Sequence, residues 1–204
     1  MNSSLCVALT TSPEQAQRLQ ALQAAFADVC NALAPMVQEH KCWNRVTLHH
    51  LAYKSLREQF PAIGSQMICN AIYSVSLTGR MVFQHPASPY HHAKLAGKRL
   101  PLLRFSESSP VYFDRHTLSL KAGVLSIYTL GGRMRCELIL NRKDELNFHE
   151  KKLREVVLSR RADGVFELMF HFVEASEGEA TAKAGVSPRR KSEIPPHVMV
   201  EVAA

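Results

Sequence analysis

The chain has 204 residues, 46% of them hydrophobic and 21% charged, with a net charge of +7. This composition is that of an ordinary globular protein and excludes a wholly disordered chain. No apolar run reaches the roughly 18 to 20 residues of a membrane-spanning helix, and residues 1–6 lack the basic and apolar regions of a secretory signal. We therefore expect a cytoplasmic protein with no membrane partner.

The charge is distributed unevenly along the chain. Residues 1–40 carry 1 basic and 3 acidic side chains, residues 41–161 carry 20 and 8, and residues 162–204 carry 4 and 7. The central block, at +12, would attract a polyanion, nucleic acid above all, because phosphate contacts release counterions. A solvated basic surface is the alternative explanation of the same pattern.

The spacing of cysteine and histidine argues against a metal site. The five cysteines contain no C-x-x-C pair, which is the usual spacing of structural zinc sites and redox motifs. Adjacent histidines, as in His49-His50 and His91-His92, point about 100° apart on a helix and cannot easily share one ion. We expect no metal, no other cofactor and no disulfide framework.

The first half of the chain predicts a strand and three helices. The stretch Thr11-Ser12-Pro13-Glu14 marks a helix start, with a hydroxyl N-cap, proline in the first turn and an acid next to it, and Pro35 is expected to kink or end that helix. In chain order the predicted elements are a strand at 5–10, helices from Ser12 to Met36 and over about 46–59 and 65–81, and a basic connector at 84–99.

From residue 100 the apolar period changes to two, which is typical of strands. The predicted strands are 111–113, 117–120, 124–130, 133–140, 153–160 and 165–173. Gly131-Gly132 and residues 162–164 are hairpin signals, so we expect an antiparallel meander that closes into a small barrel. The predicted α+β fold has a barrel of residues 1–10 and 100–174, a helical lobe with its connector inserted at 11–99, and a disordered tail at 175–204.

Several motifs carry a resemblance to a known family. They are Thr11–Gln15 with a helix containing Asp28–Asn31, Leu48–Arg57 running into Phe60-Pro61, Gly64–Gln66 followed by 71–75, and Val111–Lys121 followed by Leu130–Arg133. In this order, over about residues 5–173, the chain resembles the N-terminal part of TnpB-type transposon proteins, a group that includes the type V CRISPR effectors. The resemblance implies an OB-like wedge barrel and a recognition lobe that together hold guide RNA and read a short DNA motif flanking the target.

The sequence departs from this family after the barrel. The family continues into a RuvC nuclease whose first acid lies in a strand of the Gly-Ile-Asp-Leu-Gly type, and no such strand follows Phe172–Glu174 here. Two-metal cleavage needs several converging carboxylates on a rigid frame, whereas Glu177 and Glu179 fall in the predicted tail. We therefore expect a protein that is not an enzyme, with no catalytic residues.

Candidate nucleic-acid contacts fall in two groups. Gln66 occupies the family position of a glutamine that reads the flanking motif, and Asn70 one turn later would add a second contact, since an amide can bond bidentately to adenine. The other candidates would hold phosphates or stack on bases: Tyr53, Lys54, Arg57, Lys94, Lys98, Arg99, Arg104, Arg115, Lys121, Arg133, Arg135, Lys151, Lys152, Arg154, Arg160 and Arg161. For each, an ordinary surface position is the alternative, and Tyr53 could belong partly to the core. Strand alternation places Arg133 and Arg135 on one side.

The predicted function is non-catalytic binding of a structured guide RNA, with recognition of a motif in double-stranded DNA beside the target. One alternative is a split nuclease in which a separate chain supplies the catalytic domain. Another is an RNA- or DNA-binding regulator that uses no guide. A small enzyme using His and Cys is a third, although no nucleophile–base spacing supports it.

Overall fold

The computed structural model describes residues 3–95, 97–174 and 194–202. It confirms the predicted α+β class and divides the chain into two compact units, residues 1–23 with 110–184 (unit 1) and residues 24–109 with 185–204 (unit 2). The helices are α1 Pro13–His40, α2 Arg45–Gln59, α3 Ser65–Gly79 and α4 Arg142–Glu150. The strands are β1 Ser3–Ala8, β2 Leu102–Phe105, β3 Val111–Phe113, β4 Leu118–Lys121, β5 Val124–Thr129, β6 Gly132–Glu137, β7 Lys151–Arg160, β8 Phe166–Glu174 and β9 Val198–Glu201.

Helix α1 begins in unit 1 at the predicted cap and continues into unit 2. The Ser12 N–H donates to Gln15 Oε1 and the Gln15 N–H donates to Ser12 Oγ, at 2.9 and 3.2 Å, which is a reciprocal capping box. The helix does not end at Pro35 but continues to His40. Leu33 and Val37 on either side are fully buried, so packing of that face outweighs the backbone hydrogen bond that proline removes.

Unit 1 contains an antiparallel sheet of order β1-β8-β7-β3. The predicted joining of the first strand to the later sheet is confirmed, because β1 pairs with β8 from Ser3↔Phe172 to Ala8↔Glu167. One face of the sheet carries the buried core, with Val156 opposite Phe170 and Leu158 opposite Leu168. The burial of these aromatic and branched side chains holds the sheet together.

A second, three-stranded sheet of unit 1 has the order β4-β5-β6. Its first turn, Ala122-Gly123, has positive φ at both residues, as a tight two-residue hairpin requires. The predicted barrel is not confirmed, because no sheet formed by the described residues is closed. Strands β4–β6 pair only among themselves there, and β2 pairs with β9 in unit 2.

Helix α4 lies between two predicted strands, where the sequence predicted no element. Asn141 caps it by accepting the Asp144 N–H at 2.9 Å, and the acids of its first turn favour the helix N-terminus. Phe148 then packs edge-to-face on Phe170 and Phe172 at centroid distances of 5.1 and 5.0 Å. This tertiary contact holds a short polar helix against the sheet.

Unit 2 contains the helical hairpin α2–α3, both predicted from periodicity. Trp43, just before α2, packs on Phe83 at 5.7 Å, and its carbonyl accepts the Ser76 hydroxyl at 2.7 Å. Gly79 is the last residue of α3 and lies against Trp43: a Cβ on Gly79 would be 2.6 Å from Trp43 Cβ. The chain continues in a π-helical turn, Arg80–Gln84, and then in a 3-10 turn, His92–Leu95, that lies within the predicted connector.

The C-terminal segment corrects a prediction. Strand β9 pairs antiparallel with β2, from Leu102↔Glu201 to Phe105↔Val198, so the prediction of a disordered tail at 175–204 is wrong for these residues. Residues 175–193 lie outside the described residues. Val198 is buried, which means that packing on β2 orders a segment whose composition suggested none.

Candidate nucleic-acid interface

The three-stranded sheet buries one face and exposes the other. Leu125, Ile127 and Met134 lie on the buried side. The register places Ser126 opposite Arg135 and Tyr128 opposite Arg133, so these side chains share the opposite face. We call this surface the sheet face and define it by Ser119, Lys121, Ser126, Tyr128, Arg133 and Arg135. These six residues supply three cations, three hydroxyls and one aromatic ring, and the same register places Val124 and Glu137 on this face as well.

Arg133 is held in place on the sheet face. Its Nε donates to Ser126 Oγ at 2.9 Å, its Nη2 donates to the Ser126 carbonyl at 3.4 Å, and its Nη1 donates to the His116 carbonyl at 3.2 Å. These bonds engage three of the five N–H groups of a guanidinium. The side chain is exposed, so its remaining donors face solvent in an orientation already fixed, which suits a phosphate or a base edge.

The first turns of α1 hold the β5–β6 hairpin that carries these arginines. Arg18 Nη2 donates to Thr129 Oγ1 at 2.7 Å and to the Gly132 carbonyl at 3.1 Å, at the hairpin turn. Gln15 Nε2 donates to the carbonyl of Arg135 at 3.0 Å. Arg18 is the only basic residue in 1–40, and its role is to support the hairpin.

The turn between β3 and β4 presents another candidate beside the sheet face. Asp114 Oδ1 accepts the N–H groups of His116 and Thr117 at 3.0 and 3.1 Å, which is an Asx-type turn. Arg115 lies at its exposed tip, with Nε 3.4 Å from His116 Nε2. Since the His116 carbonyl also accepts from Arg133, the turn and the sheet face form one continuous surface.

The predicted cations around the β7–β8 hairpin divide into three with a bonded or ring partner, of which Arg160 and Arg161 are also exposed, and two others. Lys151 donates to Ser3 Oγ at 3.0 Å, the Arg160 guanidinium lies 5.8 Å from the Phe166 ring centroid, and Arg161 pairs with Asp163 and Glu167 at 2.7 and 3.3 Å. Lys152 and Arg154 are exposed, and Arg154 is the extra residue of a β-bulge. The structure therefore leaves these last two as the better candidates.

Helix α2 and helix α3 of unit 2 carry a second cluster of rings and cations. The Tyr53 ring stacks on His49 at 4.6 Å with an interplanar angle of 16°. The Arg45 guanidinium lies 5.0 Å from the Tyr73 ring centroid. We call Arg45, His49, Tyr53 and Tyr73 the helical cluster. Only Tyr53 was predicted; the i, i+4 spacing of His49 and Tyr53 is the signal that could have identified its partner.

The other predicted residues of the helical hairpin have different environments. Lys54 is exposed, whereas the half-buried Arg57 donates to the Ile63 carbonyl and so ties α2 to the following turn. Gln66 is half-buried. Asn70 is only 6% exposed, with its amide nitrogen 3.9 Å from Met67 Sδ, so the structure does not bring the proposed second base contact to the surface.

The predicted cations of the connector and of β2 are exposed but not equivalent. Lys94 donates to the carbonyls of Pro86 and Ser88 at 3.0 and 2.9 Å, and Arg104 pairs with Glu201 at 3.1 Å. Lys98 and Arg99 are exposed beside them. The structure thus keeps Lys98 and Arg99 as candidates and assigns Lys94 a role in closing its own loop.

Three of the five cysteine thiols, those of Cys6, Cys30 and Cys136, lack the environment of an activated nucleophile. Burial raises the pKa of Cys30 and of Cys136, and burial followed by the Glu167 charge raises that of Cys6. A nucleophilic thiol needs a lowered pKa. Among the described residues, no group of three or more His, Cys, Asp or Glu side chains is arranged to hold a metal ion.

Within the ranges that the structure describes, no helix combines the length and the apolar character needed to cross a membrane. No family model matches the chain, and no curated protein matches it. The resemblance to TnpB-type proteins therefore depends on the motifs quoted above alone.

Proposed function

We propose that this chain is a non-catalytic nucleic-acid-binding protein that holds a structured RNA on the sheet face. The observation that carries the proposal is the fixed orientation of Arg133, whose guanidinium is bonded to Ser126 and His116 while its side chain stays exposed. Fixing a long cation before binding reduces the entropy lost on association. An ordinary surface arginine needs no such support.

The chemistry of the sheet face favours RNA over other polyanions. Tyr128, directly opposite Arg133 in the sheet, offers a ring for base stacking, and stacking is how sheet surfaces hold unpaired bases. Ser119 and Ser126 are directly opposite each other and supply hydroxyls that can bond the 2′-OH or phosphate. An acidic protein segment would use the cations alone and would gain nothing from the ring.

The helical cluster extends the proposal to a second nucleic-acid contact. His49 stacked on Tyr53, together with Arg45 over Tyr73, places three rings and a cation along one helical hairpin. We assign to this hairpin and to Gln66 the contact with a DNA motif flanking the target, as the family resemblance implies. The chain itself is assigned no cleavage step, and a cytoplasmic setting belongs to the same proposal.

The test is to express the chain with its native flanking DNA, purify it and sequence the bound RNA. One dominant structured RNA from the neighbouring locus supports the proposal and supplies the guide and target for binding assays. Sequence-specific binding of duplex DNA by RNA-free protein would instead establish an unguided regulator. A co-purifying chain with metal-dependent cleavage would establish the split-nuclease alternative, and failure to bind any nucleic acid would overturn the proposal.

A further inference from the structure

In the small β2–β9 sheet of unit 2, the hydrogen bonds define which backbone groups of β9 point toward β2 and which point away from it. The Ser106 N–H donates to the His197 carbonyl at 2.9 Å, and in this register Phe105 lies opposite Val198. Because backbone groups of alternate residues point to opposite edges of a strand, Met199 and Glu201 bond toward β2. The N–H and C=O groups of Val200, the C=O of Val198 and the N–H of Val202 therefore point away from it.

The far edge of β2 is blocked by a side chain. Asn31 of α1 accepts the Phe105 N–H at 2.8 Å and donates to the Phe105 carbonyl at 2.9 Å. The carboxamide thus takes the place that a neighbouring strand would occupy. Within residues 3–95, 97–174 and 194–202, no strand pairs with the outer edge of β9, so this is where the sheet can grow.

The side chains along β9 lack the usual protection of an edge strand. Met199 is 63% exposed and Val202 is 64% exposed. The one charge on the strand, Glu201, is paired with Arg104 of β2 at 3.1 Å. Natural edges are commonly protected by lysine, by proline within the strand or by a bulge, and β9 has none of these. An edge with two such exposed apolar side chains is suited to pairing with another strand.

We propose that β9 of a second copy of this chain occupies that edge, antiparallel, about a two-fold axis at Val200. The outward-pointing groups belong to Val198, Val200 and Val202, so the pattern is symmetric about Val200 and complements itself. Val200 pairs with Val200 of the second copy through two hydrogen bonds, and each Val202 N–H donates to a Val198 carbonyl. Met199 lies opposite Glu201, so no like charges face each other across the interface.

Sedimentation of the full chain over a concentration series up to about 100 µM tests this proposal. We expect a monomer–dimer equilibrium in the wild type. Val200→Pro removes only an N–H that points away from β2, because β9 bonds to β2 through the residues on either side of Val200. In the dimer it deletes two of four inter-chain hydrogen bonds, so it should weaken dimerisation about tenfold or more. Val202→Lys places a charge at the outer edge and should have the same effect. A wild type that stays monomeric, or variants that dimerise equally well, would overturn the proposal.

A crosslinking experiment keeps the test independent of the proline variant's folding. Val200→Cys places two thiols directly opposite each other, at the roughly 5.5 Å between Cα atoms of a hydrogen-bonded pair, which a disulfide can span. Glu201→Cys is the matched control, because each Glu201 lies opposite Met199 and not opposite its own copy. Rapid oxidation to a covalent dimer in the first variant alone is expected; equal crosslinking in both would exclude this register.

Discussion

Replacing Arg133 and Arg135 together by glutamine is the most direct test of the sheet face. The change removes two exposed cations that lie on one side of β6 and keeps polar side chains of similar length. It also breaks the bonds of Arg133 to Ser126 and His116. Arg133→Lys separates the two effects, because it preserves the charge and loses the planar fork that makes those bonds.

The expected magnitude follows from counterion release. Each phosphate contact contributes about 0.7 to the slope of log affinity against log salt for a single strand. Loss of two contacts should therefore lower the slope by about 1.4, and between about 50 and 200 mM salt the wild type should lose roughly sevenfold more affinity than the double variant. Arg133→Lys should keep the wild-type slope while binding more weakly at every salt concentration.

The assay is fluorescence anisotropy with the co-purified RNA at several salt concentrations. Arg161→Gln is the matched control, since Arg161 is bonded to Asp163 and Glu167 and its charge is already compensated; its slope should equal that of the wild type. Circular dichroism would show whether each variant keeps its fold. An unchanged slope in the double variant, or an equal fall in Arg161→Gln, would refute the assignment of the sheet face.

Three further predictions concern unit 2. Gly79→Ala should lower the midpoint of urea unfolding, because the new Cβ would lie 2.6 Å from Trp43 Cβ. Such overpacking costs about 1–3 kcal/mol, which exceeds the gain of about 0.8–1.0 kcal/mol in helix propensity; an unchanged midpoint would contradict the prediction. Asn31→Ala should destabilise the unit by about 2 kcal/mol in the same assay, since it leaves both backbone groups of the buried Phe105 without these bonds, whereas a neutral result would exclude the edge-blocking role. Burial lowers the pKa of His197 below its ordinary 6.5, so the imidazole takes up a proton more readily when β9 is detached from β2. Protection of the β9 amides from hydrogen exchange should therefore fall as pH falls through about 6.5. His197→Asn should abolish that dependence, and protection that rises at low pH would contradict the prediction.

Local periodicity predicted those elements whose core contacts repeat along the chain. Helices α1–α3 and the hairpins β5–β6 and β7–β8 were predicted for this reason. Helix α4 was missed because its sequence is almost wholly polar and its one firm contact, Phe148, depends on β8. Strand β9 was missed because four residues after two prolines carry no periodic signal, and only pairing with β2 gives them a structure.

The closure of the sheets and the pairing of several cations depend on residues that are far apart in the sequence. Alternation placed Arg133 and Arg135 on one side, and the same rule applied to β5 would have added Tyr128. No local rule identifies the partners of Arg104 and Lys151, because these partners, Glu201 and Ser3, are about a hundred or more residues away in sequence. The barrel prediction depended on strand order in the same way.

The net positive charge that would attract nucleic acid and the oriented arginine that would hold it belong to different units. Unit 1 contains 13 basic and 12 acidic residues, whereas unit 2 contains 12 and 6, so the excess positive charge belongs almost entirely to unit 2. Arg133, an exposed cation held in a defined orientation, nevertheless lies in unit 1. Long-range attraction depends on net charge and accelerates encounter, whereas residence time depends on oriented contacts. The exposed cations Lys98 and Arg99 of unit 2 should therefore govern how fast nucleic acid associates, and the sheet face should govern how slowly it leaves.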